Sequence, residues 1–213
     1  MAQHRLTAHV IADEPSLRAL LGEPTALVCN KVSDRLNRLT RTFVERAPFV
    51  CIATSAPDGS CDVSPRGDPP GFVRILDERT LLVPERPGNR LADSLRNILA
   101  NPHVGMLFII PGVGDTFRVN GRATLTTDAA LLAPSAVECK APKLGILVDI
   151  AEAYTQCIKA LLRSALWDAT RHVDRTALPS SGEIHAELAG GDFDAAGYDN
   201  ERAARYARRE GFY

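Results

Sequence analysis

The sequence predicts a mainly β (α+β) protein, a six-stranded antiparallel β-barrel with flanking helices, and three observations support this fold class. From Pro48 onward, short runs rich in β-forming residues replace the helical spacing of the N-terminal segment. Turn signals such as Pro57-Asp58-Gly59 join consecutive runs into hairpins. One long run, Thr116–Thr126, alternates between apolar and polar residues, as a strand with one buried face does. Closure into a barrel removes the edges that an open antiparallel sheet must protect.

The composition is that of an ordinary globular protein. The chain has 213 residues, of which 45% are hydrophobic and 24% charged, enough for a sizeable core without disulfides or metal. The net charge of -1 gives no indication of a nucleic-acid partner. The 5 cysteines and 5 histidines lack metal-ligand spacing, which predicts reduced thiols and no metal site. Because the N-terminus has no signal core and the longest apolar run, residues 104–110, is too short to span a bilayer, we expect a cytoplasmic protein without a membrane partner.

Helices are predicted on both sides of the barrel segments. The first begins after the capping residue Asp13 and ends at Gly22. The others are predicted over residues 33–45, 89–100, 129–132, 151–167 and 200–210. We therefore expect one domain over residues 1–213, with an N-terminal helical extension to about residue 47 and a C-terminal helical tail from about residue 151.

The predicted strands begin with two hairpins. The first hairpin pairs residues 49–54 with 60–64, and the second pairs 72–76 with 81–83. The later strands are predicted at residues 104–110, 116–126 and 146–150. A barrel this small has an interior filled by side chains, so a ligand must lie outside it, on a rim or at an interface.

Two loops carry arginines in positions that suit an anion. In the first, proline and glycine turn the backbone away from the sheet around Arg66, whose guanidinium can pair two phosphate oxygens. The second, residues 84–90, precedes a predicted helix whose N-terminus would attract an anion. Here Arg86 and Arg90 add positive charge and Asn89 can cap the helix. A rigid surface connection and a capped surface helix are the alternative interpretations of these loops.

Two further groups of cations are compatible with a dimer contact or the edge of a cofactor. Arg118 and Arg122 share the polar face of the predicted strand at residues 116–126. Lys159 and Arg163 lie one turn apart on the predicted helix that Trp167 closes. A solvated face explains the first group at least as well. For the second group, the residues alone favour a core Trp167 and a solvated Arg163. The sequence shows no catalytic triad order, nucleophile elbow, phosphate loop or carboxylate pair, so it identifies no catalytic residue.

Several motifs occur in a fixed order between residues 17 and 167. The most specific are residues 49–55, 58–59, 62–68, 87–90, 93–98, 117–123 and 159–167. Together they resemble the pyridoxamine 5'-phosphate oxidase-like, FMN-binding split-barrel family. One position departs from that pattern, since Gln156 stands where relatives of this branch often carry histidine. If that position takes part in catalysis, the departure puts activity in doubt.

The resemblance implies an FMN cofactor at the interface of a homodimer. The residues it implies for the FMN phosphate and ribityl chain are Ser64, Arg66, Asn89 and Arg90. Those whose backbone would line the isoalloxazine ring are Val63, Pro65, Leu82 and Val83. Those that would reach the partner chain's cofactor are Arg118, Arg163, Ser164 and Trp167. The function it implies is an FMN-dependent oxidoreductase with a small-molecule substrate; the alternative is a non-catalytic flavin- or haem-binding protein for storage, sensing or protection.

Overall fold

The computed structural model describes residues 9–213, which form one antiparallel sheet of seven strands with flanking helices. The strands are β1 (Phe49–Ser55), β2 (Cys61–Gly67), β3 (Arg74–Ile75), β4 (Thr80–Pro84), β5 (His103–Ile109), β6 (Thr116–Thr126) and β7 (Gly145–Gln156). Their order in the sheet is β2-β1-β5-β6-β7-β4-β3. The predicted fold class is confirmed. The strands number seven rather than six, one for each segment predicted from the sequence, and the segment predicted at residues 72–76 is reduced to the two-residue β3.

The described helices lie before, between and after the strands. They are α1 (Glu14–Leu21), α2 (Ala26–Asn30), α3 (Arg41–Arg46), α4 (Asp93–Ala100), α5 (Ala129–Leu132), α6 (Lys159–Ser164), α7 (Ser181–Ala189) and α8 (Ala195–Ala207). Helix α1 has the bounds that the sequence predicts, and the Asp13 side chain accepts from the Ser16 N–H at 2.8 Å. The first eight residues of the predicted N-terminal extension lie outside the described residues. Within residues 9–213, none of the helices has the length and apolar character needed to cross a bilayer.

The core lies on one face of the long strands. Residues alternate between buried and less buried along β1 and β5, as a strand with one packed face requires. The predicted apolar face of β6 is confirmed, since Phe117 and Val119 are fully buried. The Phe43 ring from α3 stacks on Phe117 with 5.5 Å between the ring centroids. The other face of β1, β5 and β6 is therefore free to form the wall of a site.

The helix predicted over residues 33–45 is wrong for its first half. Ser33 instead exchanges two backbone hydrogen bonds with Ala153 of β7, at 3.1 and 2.6 Å. The Asn37 side chain then accepts from the N–H groups of Leu39 and Thr40, which turns the chain before α3 begins at Arg41. The helical spacing of the apolar residues is overridden because the backbone finds partners outside its own segment.

The helix predicted over residues 151–167 is also largely wrong. Strand β7 continues to Gln156, because β6 offers it hydrogen-bonding partners as far as Thr116. The two strands pass a bulge at Asn120/Gly121, where the backbone of Asp149 comes so close that a Cβ on Gly121 would lie 2.1 Å from its carbonyl oxygen. Only residues 159–164 remain for helix α6.

The C-terminal region contains one helix that the sequence interpretation missed. Helix α7 begins with a capping box, in which Ser180 and Glu183 each accept from the other's backbone N–H. It packs against α8, which starts at Ala195 rather than at the predicted residue 200. The Gly182 N–H donates to Asp199 of α8 at 2.9 Å.

Candidate functional site

A cleft of about 610 Å³ opens between β2, the segment after β4 and the start of α4. We call it the loop cleft, and it is lined by residues 62, 64–68, 72 and 84–95. It contains five of the residues predicted to bind a cofactor, which are Ser64, Pro65, Arg66, Asn89 and Arg90. Volumes of this order are typical of small-molecule sites. The backbone does not turn away from the sheet at Arg66 as expected, because Arg66 lies in strand β2 opposite Val50 of β1. Strand β2 and the loop at residues 84–90, which are separate in sequence, therefore form one site.

The N-terminus of α4 opens into the loop cleft without a side-chain cap from the described residues. Asn89 does not cap it as expected, because its side chain accepts from the Leu91 N–H at 3.0 Å. Helix α4 begins at Asp93 rather than at residue 89, since Arg90 and Ala92 have left-handed φ values of 64° and 58°. Such conformations cost about 1–3 kcal/mol each and cluster at ligand sites. Free N–H groups and the positive end of the helix dipole make this end of the cleft attractive to an anion.

Arg66 is held in the loop cleft by three contacts. Its Nε donates to Glu85 Oε2 at 3.1 Å, and its Nη1 donates to the Ser64 hydroxyl and to the Pro65 carbonyl, the latter at 3.0 Å. The side chains of Arg66 and Glu85 are only 15% and 21% exposed. Burial raises the pKa of Glu85, and the charge of Arg66 offsets this only in part. Burial therefore favours the neutral form of Glu85.

Arg86 serves the structure of the loop cleft rather than a free anion site. Its Nε pairs with Asp68 at 2.6 Å, and its Nη2 donates to the Ser135 carbonyl at 2.8 Å. The Asp68 side chain is 2% exposed and also accepts from the Tyr213 hydroxyl at 2.7 Å. This hydrogen bond raises the pKa of Tyr213, whose ring lies 5.1 Å from the Arg86 guanidinium. No local sequence signal relates Tyr213 to a loop that lies 145 residues earlier.

Carboxylates outnumber cations in the loop cleft. Three arginines line it, and so do the carboxylates of Asp62, Asp68, Glu85 and Asp93. Asp62 accepts from the Ser94 hydroxyl at 2.6 Å, which ties α4 to β2. Among the described residues, Arg90 is the arginine of this cleft that has no carboxylate oxygen within 4.0 Å. An anion can thus bind at Arg90 and α4 directly, whereas at Arg66 it would also meet the negative charge of Glu85.

A second cleft, of about 650 Å³, lies between the outward face of β1, β5 and β6 and helix α6. We call it the sheet cleft, and it contains the predicted residues Val63, Arg118 and Arg163. The guanidinium of Arg118 lies 5.4 Å from the Tyr154 ring, and its Nη1 is 3.5 Å from Gln156 Oε1. The cations predicted to reach a partner's cofactor therefore line a different cleft from those predicted to hold the phosphate.

Four predicted residues line neither cleft in the described structure, and they are Leu82, Val83, Ser164 and Trp167. The side chains of Leu82 and Val83 are fully buried, and their backbone pairs β4 with β7. Ser164 donates to the Leu161 carbonyl at 3.1 Å. The Trp167 indole donates to the Val113 carbonyl at 2.9 Å and remains 38% exposed, so it is a surface residue.

Comparison with known proteins identifies the family. The sequence model described as pyridoxamine 5'-phosphate oxidase matches residues 36–157, more than half of the 213-residue chain. No curated protein matches the chain.

Solved structures to which the chain is similar include the following three. HupZ from Group A Streptococcus is 15% identical with a TM-score of 0.48, covering 57% of this chain and 94% of its own. General Stress Protein 26 from Bacillus anthracis is 16% identical with a TM-score of 0.43, covering 56% and 94%. A pyridoxamine 5'-phosphate oxidase-related, FMN-binding protein from Nostoc punctiforme is 15% identical with a TM-score of 0.39, covering 56% and 78%. With the profile match over residues 36–157, the resemblance noted in the sequence is confirmed, and this chain belongs to the pyridoxamine 5'-phosphate oxidase family.

Proposed function

We propose that this protein is an FMN-dependent oxidoreductase that acts on a small organic substrate. The observation that carries this proposal is the loop cleft, where Ser64, Arg66, Arg90 and the uncapped start of α4 converge from separate segments. A phosphate dianion requires such a set of cationic and backbone donors. Members of this family generally bind FMN, which carries a phosphate at the end of its ribityl chain.

The carboxylates of the loop cleft are compatible with this assignment. Asp62 and Asp68 already accept hydrogen bonds from protein donors, so their negative charge is partly compensated. Glu85 faces Arg66, and its raised pKa makes its neutral form accessible when an anion approaches. Arg66 can then donate to the phosphate while Ser64 and Pro65 keep its guanidinium in place. The residues present therefore fit FMN.

In this proposal the protein binds and orients the cofactor, and bound FMN supplies the centre that exchanges a hydride or electrons with the substrate. Arg90 and α4 hold the phosphate, and Ser64 and Arg66 hold the adjoining part of the molecule. No protein nucleophile is required, which agrees with a sequence that offers no catalytic triad.

We also propose that two copies of the chain form a homodimer with FMN at their interface. Val63 lines the sheet cleft, and Leu162 lies on α6 between the cleft residues Leu161 and Arg163. Both side chains are 65% exposed and form apolar surface of the kind that interfaces cover. In this assembly Arg118 and Arg163 would approach the cofactor held by the partner. Sedimentation tests the assembly, because a monomer that binds FMN tightly would contradict a shared site.

A non-catalytic flavin- or haem-binding protein is the second candidate. Gln156 favours it, because this neutral side chain lines the sheet cleft at a position where the family resemblance implies an ionisable histidine. Turnover with NADPH, oxygen or a deazaflavin-like electron donor would support the oxidoreductase. Stable binding of the cofactor without any turnover would support the second candidate.

The cofactor assignment is tested by the FMN content and affinity of the full-length protein. Purified protein is expected to be yellow and to release about one FMN per chain. Arg66→Ala combined with Arg90→Ala should weaken binding by roughly 3–6 kcal/mol, since each charged hydrogen bond contributes roughly 1.5–3 kcal/mol. Arg38→Ala is the matched control, because this arginine is exposed and outside both clefts. Unchanged FMN affinity in the double variant would contradict the phosphate assignment.

A further inference from the structure

The sheet cleft holds three cations that have no carboxylate to balance them. Arg118 comes from β6, and Lys159 and Arg163 come from α6. Within residues 9–213, none of the three has a carboxylate oxygen within 4.0 Å, and no Asp or Glu lines the cleft. Lys159 and Arg163 are four residues apart on α6, where like charges repel. A bound anion would remove this repulsion.

The remainder of the sheet cleft is mainly apolar. Ala53 of β1 and Gly105, Leu107 and Ile109 of β5 lie on the outward face of the sheet, at alternate positions from the buried core residues. Leu161 of α6 closes the other side. An inorganic anion would leave this apolar surface exposed to water, whereas an organic molecule would bury it, which is favourable. The cleft thus combines a site for negative charge with a surface for an apolar body.

Arg118 is arranged so that its charge remains available. Its guanidinium lies 5.4 Å from the centre of the Tyr154 ring, a cation–π contact that uses none of its N–H groups. The contact with Gln156 Oε1 is long, at 3.5 Å, and comes from a neutral amide. A carboxylate at position 156 would form an ion pair with Arg118 instead.

We propose that the sheet cleft binds an organic anion, with its acidic group at Arg118, Lys159 and Arg163 and its apolar body against β1 and β5. This inference rests on the proposed function in one respect, since the anion would be the substrate of the FMN-dependent reaction. Each FMN phosphate is assigned to the loop cleft, so in the proposed dimer the sheet cleft cations lie beside the partner's cofactor and are left for the negative group of a substrate bound there. The substrate class is therefore small aromatic or aliphatic acids rather than neutral molecules.

The test compares 2-naphthoate with 2-naphthamide, which share one apolar body and differ in charge. Both are titrated against the full-length protein with its bound FMN, and binding is followed by ligand-observed NMR. The naphthoate should bind more tightly by about ten-fold or more, because its carboxylate can accept charged hydrogen bonds that the amide cannot match. Lys159→Gln with Arg163→Gln should abolish the preference, and Gln156→Glu should reduce it. Arg171→Gln is the control, because this arginine is exposed and outside the cleft.

Equal affinity for the two probes, or a preference that survives the double substitution, would overturn the inference. FMN content is measured in every variant, so that the two proposals can fail separately. If FMN is retained but naphthoate has no advantage, the sheet cleft assignment is wrong and the cofactor assignment stands. If FMN does not bind but the preference is present and depends on Lys159 and Arg163, the cofactor assignment is wrong and the anion site stands. Loss of FMN in the double variant would assign these cations to the cofactor and overturn the inference.

Discussion

Replacing Glu85 by glutamine should strengthen the binding of FMN. In the folded protein, Glu85 Oε2 accepts from Arg66 Nε at 3.1 Å and places a negative charge in the loop cleft. Glutamine keeps the size and a carbonyl acceptor but removes that charge. Because Arg66 also donates to Ser64 and Pro65, its guanidinium should stay in position after the substitution. The phosphate would then meet a cation that no carboxylate neutralises.

The magnitude follows from the geometry of the pair. A phosphate on the free edge of the Arg66 guanidinium would lie about 6 Å from Glu85, where one unit charge at an effective dielectric constant of 20 costs roughly 3 kcal/mol. The side chains of Arg66 and Glu85 are 15% and 21% exposed, so solvent screens the repulsion between Glu85 and the phosphate and lowers this energy. We expect FMN affinity to rise by roughly 1.5–3 kcal/mol, which is ten- to a hundred-fold in Kd.

The same residue predicts a pH dependence. Burial raises the pKa of Glu85 in the folded protein above its ordinary value of 4.5. Between pH 4.5 and the pKa of the folded protein, the folded state holds a proton that the unfolded chain has lost. The contribution of this proton to the stability of the folded state is therefore complete below pH 4.5 and is lost as the pH rises through the folded-state pKa. A bound phosphate would raise the pKa further, so FMN affinity should fall as the pH rises through this range. Glu85→Gln should lack both effects.

The assay is a fluorescence titration of FMN against apo-protein between pH 5 and 8, for the wild type and the variant. The phosphate itself ionises near pH 6, but this affects both proteins equally, so the ratio of their Kd values isolates Glu85. Glu14→Gln is the control, because Glu14 pairs with Arg18 at 3.2 Å outside either cleft. Unchanged or weaker binding of FMN by Glu85→Gln would refute the assignment of Arg66 to the phosphate.

Two further substitutions test the packing that shapes the site. Tyr213→Phe removes the 2.7 Å hydrogen bond to the buried Asp68, so urea denaturation should show a loss of about 1–2 kcal/mol, and an unchanged midpoint would mean that the contact contributes nothing. Gly121→Ala would place a Cβ 2.1 Å from the Asp149 carbonyl oxygen and should lower the free energy of unfolding by about 3 kcal/mol or more. Gly191→Ala is the control, because its Cβ would meet no atom within 4 Å and the substitution should be nearly neutral. Equal stability of the two variants would contradict the close approach at the bulge.

Elements with local causes could be predicted from the sequence. The β1–β2 hairpin depends on its own turn, in which Gly59 has a φ of 85°, and its strands pair in register from Phe49 opposite Gly67 to Ser55 opposite Cys61. Helix α1 depends on the cap at Asp13. Helix α7 had an equally local signal in Ser180 and Glu183, so its omission reflects an overlooked motif and not missing information.

Elements whose partners lie far along the chain could not be predicted in this way. The apolar residues from Tyr154 to Leu166 have the spacing of a helix, but residues 151–156 continue strand β7 because β6 supplies their hydrogen-bonding partners. The start of α4 is set by the left-handed Arg90 and Ala92 and by the contact from Ser94 to Asp62. In both cases a tertiary hydrogen-bonding partner outweighs the local preference of the backbone.

The electrostatics of the two clefts show why residue type and spacing were insufficient for the site. In the sequence, Arg66, Arg86 and Arg90 are equivalent cations in two exposed loops. In the folded chain, Glu85 neutralises the first, Asp68 neutralises the second, and only Arg90 has no carboxylate partner among the described residues. An arginine's capacity to bind a ligand depends on the free energy of releasing its present partner. That partner is set by the fold, so the sequence could name the cations but not rank them.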